Sequence, residues 1–111
     1  MAYDVDLLIE QGADYSIKVQ LTDDSGDPLD LDGYEAAGQL RRHYTSSTSY
    51  DFTVTLFSDT VESYVLLELS NADSAAIPAA RYVYDVELTS PAGKVSRILQ
   101  GTATVTPEVT R

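Results

Sequence analysis

The sequence contains no cysteine, no tryptophan, one histidine and one methionine among 111 residues. Without cysteine it can form neither a disulfide nor a thiolate metal site, which fits assembly in a reducing cytoplasm. No apolar run approaches the ~20 residues that a membrane-spanning helix needs. Asp4 and Asp6 stand where a signal peptide would carry basic residues. Bases are scarce: seven Lys and Arg face eighteen Asp and Glu, for a net charge of -11. So acidic a surface repels phosphate backbones and anionic headgroups, so neither nucleic acid nor membrane is an expected partner. Ten of the acids fall within residues 1–35, against Lys18 alone. That concentration either keeps the chain soluble or steers it toward a basic partner.

The same scarcity bounds the chemistry. His43 follows Arg41 and Arg42, and no serine stands in a nucleophile-elbow pattern. An imidazole without an orienting acid and a reacting partner is a surface histidine, so no catalytic residue is expected. Asp23, Asp24, Asp27, Asp30 and Asp32 crowd one loop and are the best metal candidates. They lack the order and the closing glutamate of a calcium-binding EF-hand loop, and Pro28 interrupts them. Turn chemistry explains them better, because aspartate side chains bond the backbone two residues on. Asp85 and Glu87 share a strand face as an exposed polar row. Gly26 and Gly33 read as turn glycines rather than a phosphate loop. No metal and no cofactor are expected.

What the sequence has in quantity is alternation. Tyr82, Tyr84, Val86 and Leu88 fall on one face of a strand, Pro91 and Gly93 suit a turn, and a β-branched run returns from Val95 to Val105. This is a long hairpin with Leu99, Ala103 and Val105 inward. Val95 and Ile98 break the phase, so a bulge is expected near Ser96–Ile98. Earlier strands cover Asp4–Glu10, Asp14–Thr22, Tyr34–Tyr44, Tyr50–Phe57 and Tyr64–Leu69. Ser70 can cap one helical turn that Pro78 ends, and Leu29 and Leu31 would pin the aspartate loop. About seven strands with one short helical turn predict an all-β fold, an antiparallel, immunoglobulin-like β-sandwich. Residues 1–111 form a single domain of ordinary length.

Several segments resemble a known pattern. Tyr82-Val83-Tyr84-Asp85-Val86-Glu87-Leu88, the Gly93 turn, and Val95-Ser96-Arg97-Ile98-Leu99-Gln100-Gly101 through Val105-Thr106-Pro107-Glu108-Val109-Thr110-Arg111 are similar to small domains of tailed-phage virion proteins. Among these is the N-terminal domain of the baseplate upper protein family. Ile9-Glu10-Gln11-Gly12-Ala13-Asp14 and the loop from Asp24 to Tyr34 resemble that family's opening and its aspartate-proline-glycine loop. The resemblance implies a non-enzymatic virion protein, made in the host cytoplasm. It would be an adaptor at the baseplate, tail or tail-fibre junction. Its expected partners are other virion proteins and further copies of itself in a symmetric assembly. In larger relatives further domains follow; here the sequence ends at Arg111 and reads as the anchoring module alone. The alternatives are a capsid decoration or neck protein, and a small carbohydrate- or calcium-binding module.

Eight tyrosines bear on contact surfaces, since tyrosine buries a large area and keeps a wet end. Tyr15, Tyr82 and Tyr84 read as core. Tyr3, Tyr44, Tyr50 and Tyr64 lie at strand ends, at the rim of the core or in an interface. Arg41, Arg42, Arg81 and Arg97 are the cations that a neighbour's acidic third could meet. Val109 and Arg111, in the tail, and the edge strand Met1–Glu10 complete the candidate assembly elements.

Overall fold

A computed structural model describes residues 3–110. Nine strands and one helix follow in order: β1 (Tyr3–Asp4), β2 (Leu7–Glu10), β3 (Tyr15–Gln20), β4 (Glu35–Arg41), β5 (Tyr50–Asp51), β6 (Thr53–Ser58), β7 (Ser63–Leu69), α1 (Asn71–Ala75), β8 (Ala80–Thr89) and β9 (Val95–Thr106). They form two sheets. The larger runs β1-β9-β8-β4-β5, with β2 also on β9; the smaller runs β3-β7-β6. Alternation sends one set of side chains from each sheet into a shared core that includes Ile9, Leu40, Val65, Leu67, Ile77, Tyr82, Val86 and Leu99. The fold is an immunoglobulin-like β-sandwich.

The hairpin of β8 and β9 is its longest pairing. Its register shifts between Val86 and Glu87, whose partners Leu99 and Arg97 leave Ile98 unpaired. Ile98 is the expected bulge residue, and the bulge turns it inward, where it is buried. Ser90 and Lys94 close the turn, with Gly93 at positive φ.

Two expected strands are each divided. The amino-terminal one is interrupted at Val5–Asp6, and both halves pair parallel to β9. The sandwich is therefore not wholly antiparallel: this edge carries a parallel strand. Gly101 makes the arrangement possible. A Cβ there would stand 2.4 Å from the Val5 carbonyl oxygen. That oxygen instead accepts the Tyr84 hydroxyl at 2.5 Å. The run Tyr50–Phe57 is divided because the chain changes sheets at Phe52: β5 pairs with β4, whereas β6 pairs with β7.

Where the chain enters β8, the Tyr82 hydroxyl donates to the Pro78 carbonyl at 2.5 Å. This is the tyrosine corner found at the same point of immunoglobulin sandwiches. Ser70 caps α1 through the Asp73 N–H, as its sequence implied.

Candidate interaction site

Strand directions divide the loops between two ends. At one lie residues 21–34, the turn 59–62 and the turn 90–94. At the other lie residues 11–14, the loop 42–49, the segment 70–79 with α1, and the tail from 107. The molecule is elongated, 45 × 29 × 21 Å.

The first end is strongly acidic. It carries Asp23, Asp24, Asp27, Asp30, Asp32, Asp59 and Glu62, with Lys94 the one base in these loops. Local bonding shapes it. The Asp23 carboxylate accepts the N–H groups of Ser25 and Asp27 at 2.9 and 3.0 Å, and Thr22 bridges Pro28. Asp30 accepts the Asp32 N–H. Asp59 accepts those of Val61 and Glu62, both at 2.8 Å, and these bonds hold its carboxyl below the usual range. The aspartates thus shape turns with their own oxygens, and no group of three or more potential ligands is placed to hold a metal among the described residues. Leu31 is buried and Leu29 packs against the core, so both pin this loop as expected.

Beneath the loop lies a cleft of about 390 Å³. Tyr3 and Tyr34 wall it, Leu29, Leu88 and Ile98 form its apolar lining, and Asp23 and Asp24 stand at its rim. Asp24 is exposed and makes no side-chain hydrogen bond among the described residues, so its charge faces whatever enters. An acidic rim over aromatic walls suits a cationic group carried on an apolar stem.

The second end holds most of the candidate cations. The Arg41 guanidinium is tied to the Ser46 carbonyl at 2.5 Å and to Gln39 Oε1 at 3.0 Å. Arg42 lies 5.8 Å from the centre of the Tyr82 ring, which also meets Tyr50 edge-on at 6.0 Å. Burial pushes the Tyr82 hydroxyl pKa up, Tyr50 adds to the shift and Arg42 opposes it. Arg81, at the start of β8, is exposed. Tyr44 projects from the loop, 82% exposed, and Val109 is 91% exposed in the tail. Arg111 lies outside the described residues.

The remaining candidates are elsewhere. Tyr3 is at the acidic end. Arg97, on the outer face of the larger sheet, pairs with Asp85 at 3.4 Å, so Asp85 belongs to an ion pair within the chain. Tyr64, on the outer face of the smaller sheet, stacks on Phe57 at 5.0 Å beneath the Lys18 ammonium. Arg41, Arg42, Tyr44, Tyr50, Arg81 and Val109 therefore share one end; Tyr3, Tyr64 and Arg97 are not with them. Sequence reasoning missed Asp24 and Tyr34 as a pair with Tyr3, since contact between residues that far apart leaves no local signal. Tyr15, expected in the core, is half-buried at its edge, and burial raises its pKa. Tyr84 is buried as expected, and burial pushes its pKa up to about 12, with Tyr15, Asp6 and Asp4 adding to the rise.

No family model and no curated protein matches the chain. Solved structures are similar in fold. One comes from photo-crosslinking work on multimeric cell-adhesive interactions of voltage-gated sodium channel beta subunits: 13% identity, 95% of this chain and 93% of that one covered, TM-score 0.45. Another is the extracellular domain of the sodium channel beta-4 subunit, solved as parallel homodimers: 14% identity, 98% and 96% covered, TM-score 0.41.

Proposed function

We propose that this chain is a non-catalytic structural module of a tailed-phage virion. It acts as an adaptor at the baseplate, tail or tail-fibre junction, and its copies join end to end. The virion assignment rests on the sequence resemblance. The assembly mechanism rests on one observation: charge is unequal between the two ends. Seven carboxylates and one base stand in the loops of one end, whereas at the other Arg41, Arg42 and Arg81 stand among Asp14, Asp73 and Glu108. The acidic ends of two copies repel, and each finds its cations at the opposite end of a neighbour. Such a heterologous contact closes into a ring when its rotation allows. The cleft walled by Tyr3 and Tyr34 would receive an arginine of the neighbour, with Asp24 as its counter-charge.

Mass spectrometry of intact virions tests the assignment. The chain is expected in fixed stoichiometry, and its absence from particles would overturn it. Electron microscopy of a labelled copy separates the tail position from a capsid or neck position. The cleft also favours a second reading, a small carbohydrate-binding module, because tyrosine faces and a carboxylate can hold a sugar. That reading predicts a rise in melting temperature with a glycan.

A further inference from the structure

We propose that the cleft between α1 and the crossover from β5 to β6 binds a neutral oligosaccharide. This site lies at the helix end, away from the cleft of Tyr3 and Tyr34, and does not rest on the virion assignment.

The change of sheet at Phe52 makes the site. β5 stays with the larger sheet and β6 joins the smaller, and the crossover faces α1 across a cleft of about 380 Å³. That size is within the range of small-molecule sites, roughly 300–1,000 Å³. Phe52, Leu69 and Ile77 form the floor, and all three are buried. Asp73 and Ala76 line the cleft from the helix side, and Tyr50, Asp51 and Thr53 from the crossover. Core contacts hold both walls. The Phe52 ring meets Tyr84 edge-on at 6.1 Å, Tyr50 meets Tyr82, and Ser70 caps α1. A cleft formed before binding costs its ligand little in ordering.

The polar groups of the cleft are unengaged. The Asp73 carboxylate and the hydroxyls of Tyr50 and Thr53 make no hydrogen bond among the described residues. Asp51 commits one oxygen to the Gln39 amide at 2.9 Å and keeps the other. Ionised carboxylates only accept, so the ligand must donate. Two of them repel an anion. A purely apolar partner would bury them unpaired, at high cost. A compact cation would leave the apolar floor uncovered. A sugar ring meets both demands: its hydroxyls donate, and its C–H faces cover the floor. Charge agrees, since Arg41, Arg42 and Arg81 stand among Asp14, Asp51, Asp73 and Glu108. This end lacks the excess of one sign that would single out an ion.

Tyr50 also lines an adjoining cleft of about 340 Å³ with Arg42, Ser47 and Thr48. Hydroxyl and guanidinium donors on one side of the tyrosine and carboxylate acceptors on the other suit successive rings of a chain better than a single sugar.

Titration of the isotope-labelled full chain with maltose, cellobiose, lactose and chitobiose, followed by amide NMR shifts, tests the proposal. At least one of them is expected to shift residues 49–53 and 73–77, with a Kd of about 1–10 mM. Asp73→Asn is expected to weaken that binding at least fivefold. Ala76→Leu, which fills the cleft from an exposed helical position, is expected to abolish it. Glu35→Gln, exposed on β4 and outside the cleft, is expected to leave it unchanged. All three variants are expected to keep the melting temperature of the parent chain, which separates lost binding from lost fold. No shift with any of the four sugars up to about 50 mM overturns the proposal. So does a sugar whose affinity is indifferent to Asp73→Asn. Shifts confined to Tyr3, Tyr34 and Leu88 also overturn it, by placing the sugar in the acidic cleft. Argininamide that shifts residues 49–53 and 73–77 more than every sugar at equal concentration overturns it too, since the site would then be one for a cation.

Discussion

The two ends of the sandwich are built by opposite means. At the helix end, distant segments are bonded to one another. The buried Ser74 hydroxyl donates to the Ala13 carbonyl at 2.7 Å and accepts the Gly12 N–H at 3.1 Å. Gln11 donates to the Ile77 carbonyl and accepts the Glu108 N–H. Asp14 takes both the main-chain and side-chain N–H groups of Asn71. At the acidic end, Asp23, Asp30, Asp59 and Ser90 close their own turns, while two serines tie the loop to the smaller sheet: Ser58 Oγ accepts the Leu31 N–H, and the buried Ser63 hydroxyl donates to the Leu29 carbonyl. The helix end is thus held by side chains bonded across the fold, while at the acidic end the aspartates serve their own turns and serines and leucines hold the loop to the core. Charged side chains that no distant segment depends on can change without unfolding the core, which is what a contact surface needs.

The largest break in that comparison is Ser74→Ala. It removes the bonds of the buried Ser74 hydroxyl to the half-buried Gly12 N–H and to the carbonyl of the exposed Ala13, with an expected loss of about 1–3 kcal/mol in urea-unfolding free energy. Next is Tyr82→Phe, which keeps the ring against Tyr50 but removes the bond to Pro78. It is expected to cost about 1–2 kcal/mol by the same measurement. If either cost no more than a substitution in the aspartate loop, the two ends would not differ as described.

Which features could be read from the sequence follows the same division. Turns at the acidic end were legible, because aspartate, proline and glycine act on neighbours a few residues away. The β8–β9 hairpin and its bulge were legible too, since Ile98 breaks an otherwise regular alternation. The change of sheet at Phe52 was not. Tyr50, Phe52, Val54 and Leu56 keep one phase throughout, because both sheets face the same core. The parallel pairing of β1 and β2 was hidden for a related reason: alternation reports which face is buried, never which strand lies alongside. Ser74 looked like any helix serine, and its partners are more than sixty positions away. Gly101 reads as a β-strand glycine until the Val5 carbonyl is placed against it.

A smaller effect separates the ends by pH. Asp59 has its carboxyl pKa lowered in the folded chain by two main-chain N–H bonds. Its stabilisation is therefore fully present above the unfolded carboxylate value and is lost as pH falls through the folded one. Asp59→Asn is expected to flatten the acid limb of a melting-temperature profile slightly and to leave the neutral region nearly unchanged. A large drop at neutral pH would mean that the 59–62 turn supports the core, contrary to its local bonding.

The smallest expected stability effect is that of Asp24→Asn, and it isolates charge from folding. Asp24 is exposed and makes no side-chain bond among the described residues, unlike its neighbour Asp23. Removing its charge relieves repulsion among the loop aspartates, so the melting temperature should hold or rise by an amount worth under about 0.5 kcal/mol. If the rim of the cleft meets an arginine of a neighbour, the same substitution should weaken salt-sensitive association while Asp23→Asn, whose oxygen is engaged in the turn, does so less. Equal effects from the two would show that the loop acts through its total charge. The cleft of Tyr3 and Tyr34 would then have no particular occupant. Weaker association from Asp24→Asn alone would place the contact at that rim, since Asp23 commits its carboxylate to the Ser25 and Asp27 N–H groups and Asp24 makes no side-chain bond among the described residues.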